Sequence, residues 1–517
     1  MTSPSSREGG DGDTFLQGLS RYYERRIVRF HTPGHRGGRW VDPALRNLLS
    51  PQALALDVSD VLEGEHGPGD WSAALREAEA RASRLFRTER TRFLVNGTTA
   101  GIHAAVLALA MGSRIAFGRA SHLSVYAAAA LAGAEPVYIP FHYDPEWDIP
   151  GPLRVEEIAR LARESGASLY VDTYPNYYGL AHPIGRLCEL LDVPLIADEA
   201  HGSHFTFCPG APPPALAGGA AVSVQSAHKT LQAMTQASFL HVRRGQVDIA
   251  ARIDRALSLL QTTSPSPLLL ASLEAAVDHS AQEGVDAWRR AAALAGAIRK
   301  GIEERAGLRC LDAHEAELRW GAQLDPARVV VNVAPAGWTG LEAAAWLRRE
   351  CGIQVEMANQ RCIVVLVSPG NTEKEGEQLV EALARLAATP PGERNGPGAG
   401  MPGSPRQAHA PKGAPSSTRP CSASSLAALS PPPIPPRALS LREALAAPAE
   451  WIPLENCAGR VAAEFACPYP PGIPVLAPGE EITSDCVEYL RWVRERGWEV
   501  RGVRFADLAL LGVIASP

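Results

Sequence analysis

The chain has 517 residues, 46% of them hydrophobic and 21% charged, which suits a soluble globular protein of roughly two to four domains. Its 56 acidic and 50 basic residues leave a formal charge of −6 spread along the whole length, so no electrostatic footprint for a nucleic-acid backbone is present. No apolar run of about 18 residues occurs, which excludes an ordinary membrane-spanning helix.

In chain order, residues 1–13 are polar and acidic, with neither an apolar signal region nor a cleavage-like site, and are expected to be disordered. Residues 14–265 read as an α/β body. Short apolar runs at Arg92–Val95, Pro136–Ile139, Leu169–Val171, Leu195–Ala197 and Ala221–Val224 predict buried parallel strands. Between them, Ser72–Phe86, Ile102–Ala110 and Val155–Glu164 have helical length and composition. Strand–helix–strand repetition implies a mostly parallel sheet with helices on both faces and ligands at the carboxyl ends of its strands. Residues 266–389 predict one or two long helices up to Arg305, then a smaller α/β unit with strands Arg328–Val333 and Cys362–Val367. Thirteen of the 43 prolines fall between Pro390 and Pro436 among Gly, Ser and Ala, so residues 390–437 read as a flexible linker. Residues 438–517 then form a C-terminal domain. The nine cysteines contain no C-x-x-C pair, which speaks against a disulfide framework and a zinc site and for a reducing cytoplasm.

The segments after the strands carry the chemistry. Asn96-Gly97-Thr98-Thr99-Ala100-Gly101 places small residues and hydroxyls at a strand-to-helix turn, either a phosphate cradle or a capped helix. Asp198-Glu199-Ala200-His201-Gly202 ends a buried strand with a carboxylate, which either caps a helix or meets a cation such as a protonated pyridine or a metal. Ser226-Ala227-His228-Lys229-Thr230 puts a lysine at the same edge, either an exposed loop lysine or, with a depressed pKa, a Schiff-base former whose neighbours Ser226 and His228 could hold a phosphate. Together with His122 as a platform for a ring, these residues make up the inventory of a pyridoxal 5'-phosphate site.

The sequence resembles the Orn/Lys/Arg decarboxylase family, of the aspartate-aminotransferase fold type I. The resemblance rests on His31-Thr32-Pro33-Gly34-His35-Arg36-Gly37-Gly38, Asn96–Gly101, Asp172–Gly179, Asp198–Phe205, Gln225–Thr230, Gln261–Ser266 and Pro468–Pro474. In size it is similar to the short bacterial members that lack an N-terminal wing domain.

The resemblance implies a homodimer or higher homo-oligomer that decarboxylates arginine, lysine or ornithine to the corresponding amine. Lys229 would form the internal aldimine, Asp198 would pair with the pyridine nitrogen, and His122 would stack on the ring. Gly97, Thr98, Thr99, Ser226 and His228 would hold the phosphate, His201 would join the cofactor site, and Lys229 or His228 would reprotonate Cα. A neighbouring subunit would contribute Thr263-Ser264. Glu480, after the Pro470–Pro474 loop, would receive the basic end of the substrate or, equally, open a helix as a solvated residue. Two departures stand out: Leu123 follows His122 where many relatives have lysine, and the insertion after residue 389 is long. The same fold also hosts aminotransferases, aldolases and catalytically silent cofactor-binding regulators.

Overall fold

The computed structural model describes residues 14–58, 71–389, 430–469 and 472–515. The expected disorder of residues 1–13, most of the expected linker, and Pro470–Pro471 lie outside these described residues.

The large domain is built on seven strands: β1 (Thr88–Leu94), β2 (Arg114–Gly118), β3 (Glu135–Ile139), β4 (Leu169–Thr173), β5 (Leu195–Asp198), β6 (Val222–Gln225) and β7 (Ser238–Arg243). Their order in the sheet is β1-β7-β6-β5-β4-β2-β3. The pairs from β6 through to β3 are parallel, whereas β7 is antiparallel to both of its neighbours. Two reversals cancel, so β1 points the same way as the parallel strands and its carboxyl end reaches the same edge. The segments after β1, β2, β4, β5 and β6 therefore converge there.

Strand periodicity sorts the core. Ile115 and Phe117 pack with Val171, Ile196 and Val224 against helices Gly97–Ala110, Leu123–Ala132 and Val247–Leu260. Ala116, Tyr170 and Ala197 face the other way, onto helices Val155–Glu164 and Ile184–Leu190.

A single 40-residue helix, Pro267–Ala306, starts with proline in its first turn and stops at Gly307 in the left-handed region. At 1.5 Å per residue it is about 60 Å long. Leu270, Leu273 and Trp288 join the large-domain core, whereas Ala295, Ile298 and Ile302 join the small-domain core. The small-domain sheet comprises β8 (Arg309–Cys310), β9 (Arg328–Asn332), β10 (Met357–Ala358) and β11 (Cys362–Leu366) in the order β8-β9-β11-β10, all antiparallel.

The C-terminal domain pairs Ala449–Pro453 with Leu510–Ile514 and packs helix Ser484–Glu495 on them through Leu454, Ile482, Leu490 and Leu511. The end of the stretch assigned by composition to the flexible linker is tied to the large domain: Arg437 donates to the Pro136 carbonyl and, at 2.9 Å, to Glu135 on β3. No helix among the described residues is long and apolar enough to cross a membrane.

Candidate active site

Lys229 lies in a single helical turn, Ala227–Thr230, directly after β6. Its Nζ is 3.0 Å from His201 Nε2 and 5.7 Å from the centre of the Tyr177 ring. Burial pulls the lysine pKa below its ordinary value; the Asp198 and Glu356 carboxylates work against that pull, and Arg328 adds to it. A neutral amine is the nucleophilic form.

Asp198, the last residue of β5, is 5% exposed and receives one N–H, from Ala200, at 3.3 Å. No ion pair of its carboxylate is found among the described residues. Burial raises its pKa, and the charges of His122 and Lys229 oppose that rise. An under-partnered buried carboxylate at a strand end calls for a cationic N–H donor brought by a ligand.

His122 precedes helix Leu123–Ala132, and its Nδ1 accepts the Ser124 N–H at 3.1 Å, which leaves the proton of the neutral ring on Nε2. The ring is open to solvent yet ringed by protein, and that partial desolvation lowers its pKa. His228 has the opposite tautomer. Its Nδ1 lies 3.0 Å from the Ala237 carbonyl, which can only accept, so Nε2 keeps a lone pair for proton transfer.

The hydroxyls gather beside them. Thr98 Oγ1 lies 2.6 Å from Ser226 Oγ and 3.0 Å from Ser238 Oγ, at the start of helix Gly97–Ala110, whose N-cap Asn96 makes no side-chain cap bond. Gly97 has φ +76°, a conformation glycine adopts without strain, and Thr99 is exposed in the same first turn. Open N–H groups, a helix dipole and three hydroxyls suit an anion such as a phosphate monoester. A flat ring with a cationic nitrogen, an aldehyde and a phosphate thus matches the groups present at this edge, and pyridoxal phosphate is such a molecule.

Lys229, Asp198, His201, His122 and His228 converge with Gly97, Thr98, Thr99 and Ser226; Glu480 does not join them. It is fully buried, and its carboxylate makes a two-pronged ion pair with Arg119, which lies just after β2, with Oε2 2.8 Å from Arg119 Nη2. Oε2 also accepts the Ala477 N–H at 2.8 Å. The expectation that Glu480 meets a substrate is corrected on this ground: both oxygens are spent joining two domains. Thr263 and Ser264 are exposed, on the segment where the Thr262 N–H donates to Asn96 Oδ1 at 3.2 Å.

Three further groups border the site. Tyr177 follows β4, its ring 4.6 Å from that of His201. Glu356 is an exposed small-domain carboxylate whose charge is felt at both Lys229 and Tyr177. Arg328 opens β9, fully buried, with Nη2 3.0 Å from His201 Nδ1. A charge at the mouth of the Arg328–Val333 apolar run was the one sequence signal that a buried partner waits for it.

Residues 14–323 match the family profile described as Orn/Lys/Arg decarboxylase, major domain, and residues 430–504 match that of the C-terminal domain of the same family. An arginine decarboxylase of Halalkalibacterium halodurans is 34% identical over 96% of this chain and 97% of its own length. One from Bacillus anthracis is 32% identical over 96% of each chain. The solved lysine decarboxylase A of Pseudomonas aeruginosa superposes with a TM-score of 0.79 at 22% identity, covering 98% of this chain and 80% of that one, a likeness of fold.

Proposed function

The chain belongs to the Orn/Lys/Arg decarboxylase family and is an amino-acid decarboxylase, and from that premise we propose that it uses pyridoxal 5'-phosphate to convert arginine to agmatine and CO2. The observation that carries the cofactor is the buried, under-partnered Asp198 carboxylate beside a lysine whose ammonium form is disfavoured. Arginine, rather than lysine or ornithine, is favoured by the two relatives named arginine decarboxylase, which match nearly end to end.

When bound, the cofactor supplies an electron sink conjugated to the substrate's Cα, ready to take the electrons of the Cα–carboxylate bond. The chain's own groups prepare that chemistry. Lys229 would hold the cofactor through its Nζ, whose unprotonated amine is the reactive form. Asp198 would keep the ring nitrogen protonated, and its burial would strengthen that ion pair. His122 offers a flat face and an outward Nε2–H. Gly97, Thr98, Thr99, Ser226 and His228 would hold the phosphate, and either Lys229 Nζ or His228 Nε2, once it has taken up a proton, would return it to Cα. Glu356 takes the place expected for Glu480: an exposed carboxylate near Lys229 is free to pair with a guanidinium.

A second copy of the chain completes the unit. The arm before residue 58 exposes Phe30 at 91%, Trp40 at 82% and Leu48 at 81%, apolar surface that another subunit would cover, with its Thr263-Ser264 segment beside the phosphate turn. A cytoplasmic enzyme of polyamine synthesis is the setting this reading implies.

Released CO2 and product amine, measured on arginine, lysine and ornithine, test the reading. Agmatine from arginine with stoichiometric CO2, abolished in Lys229→Ala, is expected; keto-acid formation, or preference for lysine or ornithine, would overturn it.

A further inference from the structure

Arg328 reaches the site from another domain and makes one hydrogen bond there. Its Nη2 is 3.0 Å from His201 Nδ1, and His201 Nε2 is 3.0 Å from Lys229 Nζ. A guanidinium has five donors and no acceptor. Nδ1 must therefore accept, so the proton of neutral His201 sits on Nε2. A protonated Nε2 facing Lys229 can only donate, and only an unprotonated amine can receive that bond. Were Lys229 an ammonium, two donors would face each other at 3.0 Å.

We propose that Arg328 is a positioning residue that holds Lys229 as a free amine by fixing the tautomer of His201, so that the reactivity of the lysine depends on the small domain being seated. The proposal rests on Lys229 being the cofactor's lysine.

The surroundings are built for this chain of contacts. Gly179, at φ +82°, leaves the passage for Arg328; a Cβ there would lie 2.5 Å from Arg328 Cγ. Arg328 Nε and Nη1 are buried with no hydrogen-bond partner among the described residues, and Nε stands 3.8 Å from Asp325 Oδ2. Asp325 is itself held by His204 Nε2 at 3.1 Å, and the His204 ring stacks on Trp288 of the long helix at 4.3 Å. The contacts thus run from the interdomain helix through Asp325, Arg328 and His201 to the amine. Other charged or titratable groups acting at Lys229 are Asp198 on β5, Glu356 of the small domain, Tyr177 after β4, and His122 and His228 from the turns after β2 and β6. Both carboxylates favour the ammonium, so the relay has something to oppose. Burial, with the Arg328 guanidinium adding to it, pushes the His201 pKa well below its ordinary value, which keeps the ring neutral and the tautomer argument valid.

Competitive labelling of the cofactor-free chain with acetic anhydride across pH, read by mass spectrometry, reports the unprotonated fraction of each lysine. The chain has only four lysines, and Lys300 and Lys374 are exposed internal references. Arg328→Met frees His201 to reverse its tautomer and accept from an ammonium, so labelling of Lys229 at neutral pH is expected to fall about tenfold, one pKa unit. In a His201→Phe background the same substitution removes only a distant charge and is expected to do much less. Equal effects in both backgrounds, or none in the first, would overturn the proposal.

If Arg328→Met does not fold, histidine-selective 15N NMR of the unsubstituted chain, assigned by loss of the signal in His201→Phe, decides. Nδ1 without a proton and Nε2 with one is the expected pattern, and the reverse sinks the idea. Absorbance on adding pyridoxal phosphate is read separately: no cofactor uptake by the unsubstituted chain would defeat the cofactor assignment, whatever the labelling shows.

Discussion

Replacing Glu480 with glutamine distinguishes a structural role from a substrate-binding one. The Arg119 and Glu480 side chains are 3% and 0% exposed, and the carboxylate meets two guanidinium nitrogens and one backbone N–H. Arg119 Nε and Nη2 also donate to the Pro474 and Val475 carbonyls, at 3.0 and 3.1 Å. Glu480→Gln leaves that guanidinium buried without its counter-charge, a loss of about 3–5 kcal/mol when a buried pair is broken on one side. Thermal or urea unfolding, followed by the near-ultraviolet signal, should show a lowered midpoint. KM for arginine in the folded fraction should stay near its original value. Replacing both partners by methionine should cost less than the two single changes summed, because no orphan charge remains. An unchanged midpoint together with a raised KM would refute this reasoning and return Glu480 to the substrate.

Further outcomes follow from other groups. Glu199 is fully buried, accepting from Ser223, from Gln225 and from the Ala215 N–H, and burial lifts its pKa from 4.5 to about 7. The folded state then binds more protons than the unfolded chain between those values, so this group's contribution falls as pH rises through the window, by on the order of 3 kcal/mol in all. Unfolding curves at pH 5 and pH 8 should differ by less in Glu199→Gln than in the original chain. Ser226→Ala removes the hydroxyl 2.6 Å from Thr98 and should weaken pyridoxal phosphate binding about tenfold, measured by equilibrium dialysis, while leaving binding of unphosphorylated pyridoxal unchanged. Glu356→Gln should raise KM for arginine by roughly tenfold to a hundredfold with kcat little altered; an unchanged KM would dismiss the guanidinium pairing.

Much of this was legible in the sequence because apolar runs and their following residues obey simple rules. The five strands expected in the body all form, although the Arg92–Val95 run sits at the sheet edge and pairs antiparallel rather than parallel, and the turns after Val95, Ala197 and Gln225 do meet at one edge. Two strands of the seven-stranded sheet escaped. Arg114–Gly118 offers only three apolar residues between an arginine and a glycine. Ser238–Arg243 carries Ser238 and His241 inside the sheet, tolerable because His241 Nδ1 pairs with Thr91 at 2.8 Å and Nε2 with Gln225 at 3.2 Å. Such satisfied buried polar groups break the hydrophobic pattern on which strand recognition depends. The roles of Arg119, Arg328 and Glu356 were hidden for another reason. Each acts across a domain boundary, and Arg119 meets a carboxylate 361 positions away that reads locally as a solvated loop residue.

The most direct measurement is covalent. Incubated with pyridoxal phosphate, reduced with borohydride and digested, the chain should carry the cofactor on the peptide containing Lys229, and Asp198→Ala should carry far less. A label spread over Lys300 and Lys374 as readily as Lys229, or none at all, would contradict the account.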